Sequence, residues 1–586
     1  MAKLIVEQKT ILDLFSDKKA DFLIPDYQRP YAWEKDECIT LWNDIFSFAF
    51  PDDNYAKFNS DEDEYFLGPI VTFQNGSKKE IIDGQQRLTT LMLLLRAFYQ
   101  KFGNMKDPNS IKTRETLAKC IWKTDEFDNP QTDKLKIDSE VATDNDKEEF
   151  LNILRTGIVN DNMKSRYAQN YRFFEDKIKD FLNTFPGYFQ YLPTRIMKNC
   201  ILLPIEAETQ DTALRIFSTL NDRGKPLSDA DIFKAQLYKF YAKEGKKDEF
   251  ITRWRALEEL CNKNFHPIYG TPMDELFTRY MYYERALKGL KSSTTDALRK
   301  FYEQDGYVLF NKEQTFDNLE ILADFWNDVL NQNTDRFSND VLKRLFVLNY
   351  APNGMWTFMV SVYFMIYKDN KNLLDDIKFD AFLTKITGFI WAYSMTNPGL
   401  NALRTPLYFE MINIINKKEV NFENWKFEPQ KLKSVFCNYV FSNIRPITKS
   451  FLAWWAFNDN NQELISLETN LEVEHIFAKK RVMELNDKKN LESLGNKSLL
   501  EKRINIRASD YRFSDKVKYY QGFTDGRNVK RNGTKISELV EISKQQNYFN
   551  ESDIILRTNR IIDKFIEFLR RNNLILIEQS NLFSNN

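Results

Sequence analysis

Glu80-Ile-Ile-Asp-Gly-Gln-Gln-Arg-Leu-Thr-Thr-Leu-Met-Leu-Leu-Leu95 reads as the end of a buried strand at Ile81 and Ile82, then a turn at Asp83-Gly84. A helix follows whose first turn carries Gln85, Gln86 and Arg87. A helix start presents unpaired backbone N–H groups and the positive end of the helix dipole. With a glycine beside it and an arginine in its first turn, it is suited to seat a phosphate. The stretch is therefore a candidate phosphate site for a nucleotide or nucleic acid. The alternative is an ordinary strand-turn-helix with a solvated arginine.

Upstream lies Phe22-Leu-Ile-Pro-Asp-Tyr-Gln-Arg-Pro-Tyr-Ala-Trp33. Pro25 and Pro30 each bias the preceding residue to extended backbone, which makes this run a strand or loop. Tyr27, Gln28, Arg29 and Trp33 in one extended run could stack on bases or line a pocket. They could equally pack on a following helix, which is expected from near Glu34 and would bury Ile39, Trp42, Ile45 and Phe46. An acidic loop at 59–64 then leads to a strand from Tyr65 to Phe73, a hairpin turn at Asn75-Gly76 and a return strand to Ile82.

Downstream, the polar stretch from Gly103 to Phe150 reads as a surface insertion, with helices resuming near Tyr167 to Phe181. A strand at Ile201 to Ile205 precedes a helix face of Leu214, Phe217 and Leu220, and a turn at Asn221 to Gly224. Asn221 and Arg223 would complete a polar pocket at that turn, or simply close it. Ser228 or Asp229 caps the next helix. From Phe233 to about Trp455 the pattern is helical, with no catalytic constellation and with His266 as a packed or surface residue.

Composition narrows the classes. A chain of 586 residues, 42% hydrophobic with 48 Phe and 27 Tyr, has ample material for several folded domains. Apolar runs such as Leu91 to Leu95 are far too short to span a membrane, and the N-terminus lacks the length of a signal peptide. A cytoplasmic protein without membrane contact is expected. The five cysteines form no Cys-x-x-Cys pair, which argues for reduced thiols. Net charge is −1, yet Lys479 to Arg560 holds 19 Lys and Arg against 11 Asp and Glu. That basic segment is a pointer to a phosphate-bearing partner, or else a solvated surface.

The second informative stretch is Leu471-Glu-Val-Glu-His-Ile-Phe477, followed by Leu494-Gly-Asn-Lys-Ser-Leu-Leu500 and Ile504-Asn-Ile-Arg507. A histidine after a carboxylate, with two asparagines downstream, supplies what metal-assisted phosphodiester cleavage requires. Glu474 and one amide oxygen would hold a hard divalent cation. His475 would take a proton from water, and the other asparagine would orient its ring. An exposed histidine in a Glu-rich loop is the alternative.

Together, Ile24 to Trp33, Asp83-Gly-Gln-Gln-Arg87 and Phe217-x-x-x-Asn221-x-Arg223-Gly224-x-x-Leu227 resemble the N-terminal domain of GmrSD-type modification-dependent restriction enzymes. Glu474-His475 with Gly495-Asn496 and Asn505 resembles their HNH-like C-terminal nuclease domain. The same pairing occurs in phosphorothioate-sensing and BREX-associated phage-defence members. The resemblance implies an α+β, predominantly α protein: a ParB-like N-terminal domain (1–240), a helical middle (241–450) and a ββα-metal nuclease domain (451–586).

It further implies that Asp83, Gly84, Gln85, Gln86 and Arg87, with Asn221 and Arg223, bind and hydrolyse GTP or ATP. His475 falls on the general base, Asn496 on the asparagine that orients the base's loop, and Glu474 and Asn505 on the ligands of Mg²⁺ or Mn²⁺. Lys516 falls where the family often has a lysine, as a phosphate contact or a surface residue. Tyr27, Gln28, Arg29 and Trp33 become candidate contacts to DNA or its modification. Two departures stand out: the gap from His475 to Asn496 exceeds that of compact HNH motifs, and Glu474 replaces the commoner Asp. The expected activity is antiviral cleavage or nicking of modified phage DNA, with a second copy of the chain as a further candidate partner. A nucleotide-controlled DNA sensor with a degenerate nuclease half, and a nuclease acting on RNA, are the alternatives.

Overall fold

The computed structural model describes residues 4–141, 144–209, 212–213, 216, 228–293, 297–399 and 401–576. The chain is predominantly helical with small mixed sheets, and divides into compact units at 1–255 and 256–586. The turn carrying Asn221 and Arg223 lies outside the described residues.

In the first unit a seven-stranded mixed sheet has the order β1-β9-β4-β5-β3-β8, with β2 also on β9. Its strands are β1 (Leu4–Val6), β2 (Lys9–Thr10), β3 (Phe22–Ile24), β4 (Tyr65–Asn75), β5 (Lys78–Asp83), β8 (Ile137–Ser139) and β9 (Cys200–Ala207). The β4/β5 hairpin turns at Gly76, whose φ of +60° is left-handed, as the Asn-Gly signal requires. β5 runs straight into the Gln85–Lys101 helix. That helix is buried nearly all round, with Leu88, Leu91, Met92, Leu93, Leu94, Leu95 and Phe98 fully buried. It is therefore the axis of the core rather than a surface helix.

The stretch expected as a surface insertion is instead partly core. Asp107 accepts from the backbone N–H of Ser110 at 2.9 Å and Pro108 opens a helix, Pro108–Ile121, which buries Leu117, Cys120 and Ile121. The polar residues there are helix-start signals. Only the following hairpin, β6 (Trp122–Thr124) with β7 (Pro130–Leu135), carries a mostly exposed face, and β8 returns to pair in parallel with β3.

Ser228 caps the Asp229–Lys243 helix in a reciprocal pairing with Asp231. The second unit begins with helices packed through aromatic side chains, among them Trp326, Trp391 and Trp454, all buried. Its C-terminal helix, Glu551–Arg571, crosses the Asp376–Thr396 helix at Gly388, where a Cβ would stand 3.1 Å from Leu569, Leu574 and Phe568. The helical middle and the C-terminal segment thus share one unit. Cys38, Cys120, Cys200 and Cys261 are buried free thiols and Cys437 is an exposed one; burial pushes those of Cys120 and Cys200 up to about 12, which leaves them unreactive. No described helix is long and apolar enough to cross a membrane.

Candidate functional sites

The turn between β5 and the core helix is shaped by Gly84. Its φ is +92°, and a Cβ there would lie 2.5 Å from Ile70 Cγ2. The two glutamines that follow hold the upstream loop. Gln85 Nε2 donates to the Arg29 carbonyl at 3.3 Å, and Gln86 Nε2 donates to that of Pro30 at 3.2 Å. The Ala32 N–H donates to Gln86 Oε1 at 2.6 Å. Gln28 is buried and donates from Nε2 to the carbonyls of Ile81 and Ile82. Tyr27, also buried, donates to Glu80 at 3.2 Å and packs on Tyr238. Trp33 is partly buried, with its carbonyl accepting from Asn170 Nδ2 at 2.9 Å. Tyr27 and Gln28 are thus committed to the fold, while Arg29 and Trp33 keep partial exposure.

Asp83, Arg29 and Arg87 form a charge cluster at the helix start. Burial pushes the Asp83 carboxyl up, opposed by the Gly84 N–H and by the charges of Arg87 and Arg29. Burial likewise lowers Arg87, opposed by Asp83. The Arg87 guanidinium donates to the Pro69 carbonyl at 2.9 Å and fills the space beside Gly68, whose φ is +120°. Gln85 Oε1 is buried and has no protein hydrogen-bond partner, and an acceptor of this kind is satisfied by a hydroxyl or amino donor. A helix start, a cation and an orphaned acceptor fit a nucleotide.

In the second unit β10 (Leu471–His475) pairs antiparallel with β11 (Lys497–Glu501), setting His475 opposite Lys497 and Glu474 opposite Ser498. The Lys502–Ala508 helix follows β11 directly, which gives the order ββα. Asn496 is fully buried and clamps the chain leaving His475. Its Oδ1 accepts from the Phe477 N–H at 2.7 Å, and its Nδ2 donates to the carbonyls of Phe477 and Leu491. Arg557, on the C-terminal helix, donates to the carbonyls of Leu494, Gly495 and Lys497 and is itself paired with Glu538. Gly495 is obligatory there, because a Cβ would fall 2.0 Å from the Ile554 carbonyl oxygen.

Alternation along β10 sends Glu472 and Glu474 to one face and His475 to the other. His475 Nε2 lies 3.1 Å from Glu492 Oε1 and 3.1 Å from Lys497 Nζ. Burial holds the imidazole below its usual pKa, with Lys497 adding to the effect and Glu492 opposing it. The ring is therefore neutral near pH 7, as a general base must be. Burial would raise Glu492, but the Lys497 ammonium outweighs it and keeps the carboxyl ionised.

Each of the expected metal ligands holds a protein partner. Glu474 Oε1 accepts from Lys516 Nζ at 2.7 Å and from the Tyr520 hydroxyl at 2.8 Å. Lys516 also donates to the His475 carbonyl at 2.6 Å. It is thus an internal partner of Glu474, buried away from any phosphate. Asn505 instead donates to Glu472 Oε2 at 3.0 Å. Among the described residues no group of three His, Cys, Asp or Glu is gathered as a metal site. Glu472 is met by the Asn505 amide nitrogen and by Lys502 Nζ at 3.9 Å, an arrangement that neutralises its charge without a metal ion.

Glu492, Lys497, Tyr520 and Arg557 were not singled out by sequence. Only the hairpin register could have pointed to Lys497.

These features define a protein with a sheet-based strand-turn-helix site in its first unit and a histidine-bearing ββα hairpin in its second. Residues 11–238 match the model of the family described as GmrSD restriction endonuclease, N-terminal domain. The first unit therefore carries a domain of the GmrSD N-terminal type. No curated protein matches the chain.

Proposed function

We propose that the protein is an antiviral, modification-dependent DNA endonuclease or nickase. In this reading the Asp83–Arg87 turn, with Asn221 and Arg223, binds and hydrolyses GTP or ATP. The second unit cleaves the phosphodiester. The observation that carries the reading is the partly buried His475 at the end of β10, with Glu492 and Lys497 each 3.1 Å from Nε2, in a hairpin whose exit loop Asn496 clamps. His475 takes the proton of the attacking water. Mg²⁺ or Mn²⁺ is the expected cofactor and, when bound, would stabilise charge on the scissile phosphate. Arg29 and Trp33 remain the candidates for touching DNA or its modification.

The test is cleavage of unmodified and variously modified phage DNA with Mg²⁺ or Mn²⁺, with and without ATP and GTP. Wild type is compared with His475→Ala and Arg87→Ala. The expected result is cleavage confined to modified DNA, lowered about 10²–10⁴-fold by His475→Ala with DNA binding retained, and nucleotide hydrolysis lost in Arg87→Ala. Cutting by His475→Ala at the wild-type rate would sink the assignment.

A second reading, a nucleotide-controlled DNA sensor with a degenerate nuclease half, draws on the capture of Glu474 by Lys516. Metal-independent binding with no cleavage of any DNA or RNA would favour it.

A further inference from the structure

We propose that Glu492 is the positioning residue of the nuclease site: its carboxylate, anchored by Lys497, accepts the Nε2 proton of His475 and leaves Nδ1 as the atom that takes the proton from water. The inference rests on the reading of His475 as the general base.

Register puts Lys497 opposite His475 across the hairpin, and its side chain is fully buried. Its ammonium donates to Asn443 Oδ1 at 2.5 Å and to Glu492 Oε2 at 2.8 Å. The other carboxylate oxygen, Oε1, lies 3.1 Å from His475 Nε2. Two groups therefore compete at Nε2, the Lys497 donor and the Glu492 acceptor.

If Nε2 carried a lone pair toward Lys497, that lone pair would stand 3.1 Å from an ionised oxygen, with two electron-rich atoms in contact. If Nε2 carries the hydrogen, the neutral ring donates to a carboxylate whose charge Lys497 balances. The second arrangement sets the Nε2 donor 3.1 Å from an ammonium, but that ammonium already donates to Asn443 and to Glu492 Oε2, whereas the first leaves Glu492 Oε1 facing a lone pair. A carboxylate at one ring nitrogen then fixes which tautomer the other presents. In the reaction the water oxygen bonds to phosphorus, its proton passes to Nδ1, and the bond to the leaving oxygen breaks with its electron pair staying on that oxygen. Glu492 then faces an imidazolium, whose charge it offsets.

The chain has only two histidines, His266 and His475, so ¹⁵N-histidine labelling of the full-length protein yields two imidazoles, and His266→Ala assigns them. The expected spectrum shows His475 protonated at Nε2 near neutral pH in wild type, with that tautomer lost in Glu492→Gln. On a DNA substrate that wild type cleaves, Glu492→Gln is expected to lower kcat about 10–100-fold with KM for DNA unchanged, and Glu492→Asp to restore part of the rate.

A wild-type His475 protonated at Nδ1 overturns the proposal without recourse to any variant. Loss of cleavage in His475→Ala beside wild-type kcat in Glu492→Gln overturns the positioning role alone. A wild-type rate in His475→Ala overturns this role and the general-base reading together.

Discussion

The ammonium of Lys516 lies 2.7 Å from Oε1 of Glu474, and both side chains are buried. Because the same ammonium also holds the His475 carbonyl, this pair anchors the end of the strand that delivers the histidine. Glu474 is thereby a structural carboxylate.

Removing the cation leaves the buried Glu474 carboxyl with the Tyr520 hydroxyl but no opposite charge. Lys516→Met is expected to destabilise the second unit by about 3–5 kcal/mol, read by denaturant unfolding. Adding Glu474→Gln should recover much of that loss, since a neutral amide no longer needs the ammonium. A change below about 1 kcal/mol in the single variant would contradict the buried pairing.

Asn496 satisfies three backbone groups in the loop after His475. Asn496→Ala leaves them unpaired, at a cost of about 1–3 kcal/mol, and untethers the chain next to the proposed base. Cleavage should fall with stability. An active, equally stable Asn496→Ala would show the clamp to be dispensable.

Gly84→Ala combines a left-handed φ with a contact to Ile70. The expected cost is about 1–3 kcal/mol in thermal unfolding, together with weaker ATP or GTP binding by calorimetry. Unchanged binding would place the nucleotide elsewhere.

Acid sensitivity follows from Glu538. Burial alone would raise its carboxyl, but the Arg557 ion pair, with Arg560, holds it below the ordinary value. A depressed folded-state pKa contributes stability that is present above the unfolded value, about 4.3, and lost as pH falls through the folded one. The stability gap between wild type and Glu538→Gln should therefore narrow as pH drops below about 4. A gap constant down to pH 2 would refute the pairing.

Local signals were sufficient where the structure is local. The Asn75-Gly76 hairpin, the strand ending at Asp83 and the helix from Gln85 depend on turn dihedrals and periodicity within a few residues, and all are legible in the sequence. So is the helix start at Ser228 or Asp229, where Ser228 proves to be the cap. The family resemblance of the first unit rested on motifs of the same kind, and the match over 11–238 agrees with it.

What only the tertiary structure decided is which side chains those motifs serve. Gln85 and Gln86 spend their amides on a loop more than fifty residues upstream. Glu474 is taken by a lysine 42 positions away. His475 meets Glu492 rather than its sequence neighbour, because alternation along β10 turns adjacent residues to opposite faces. The polar run near Asp107 opens a core helix, because the residues that start helices are the same ones that make loops. Spacing sets a residue's face; strand register and burial, fixed only when the chain closes on itself, set its partner.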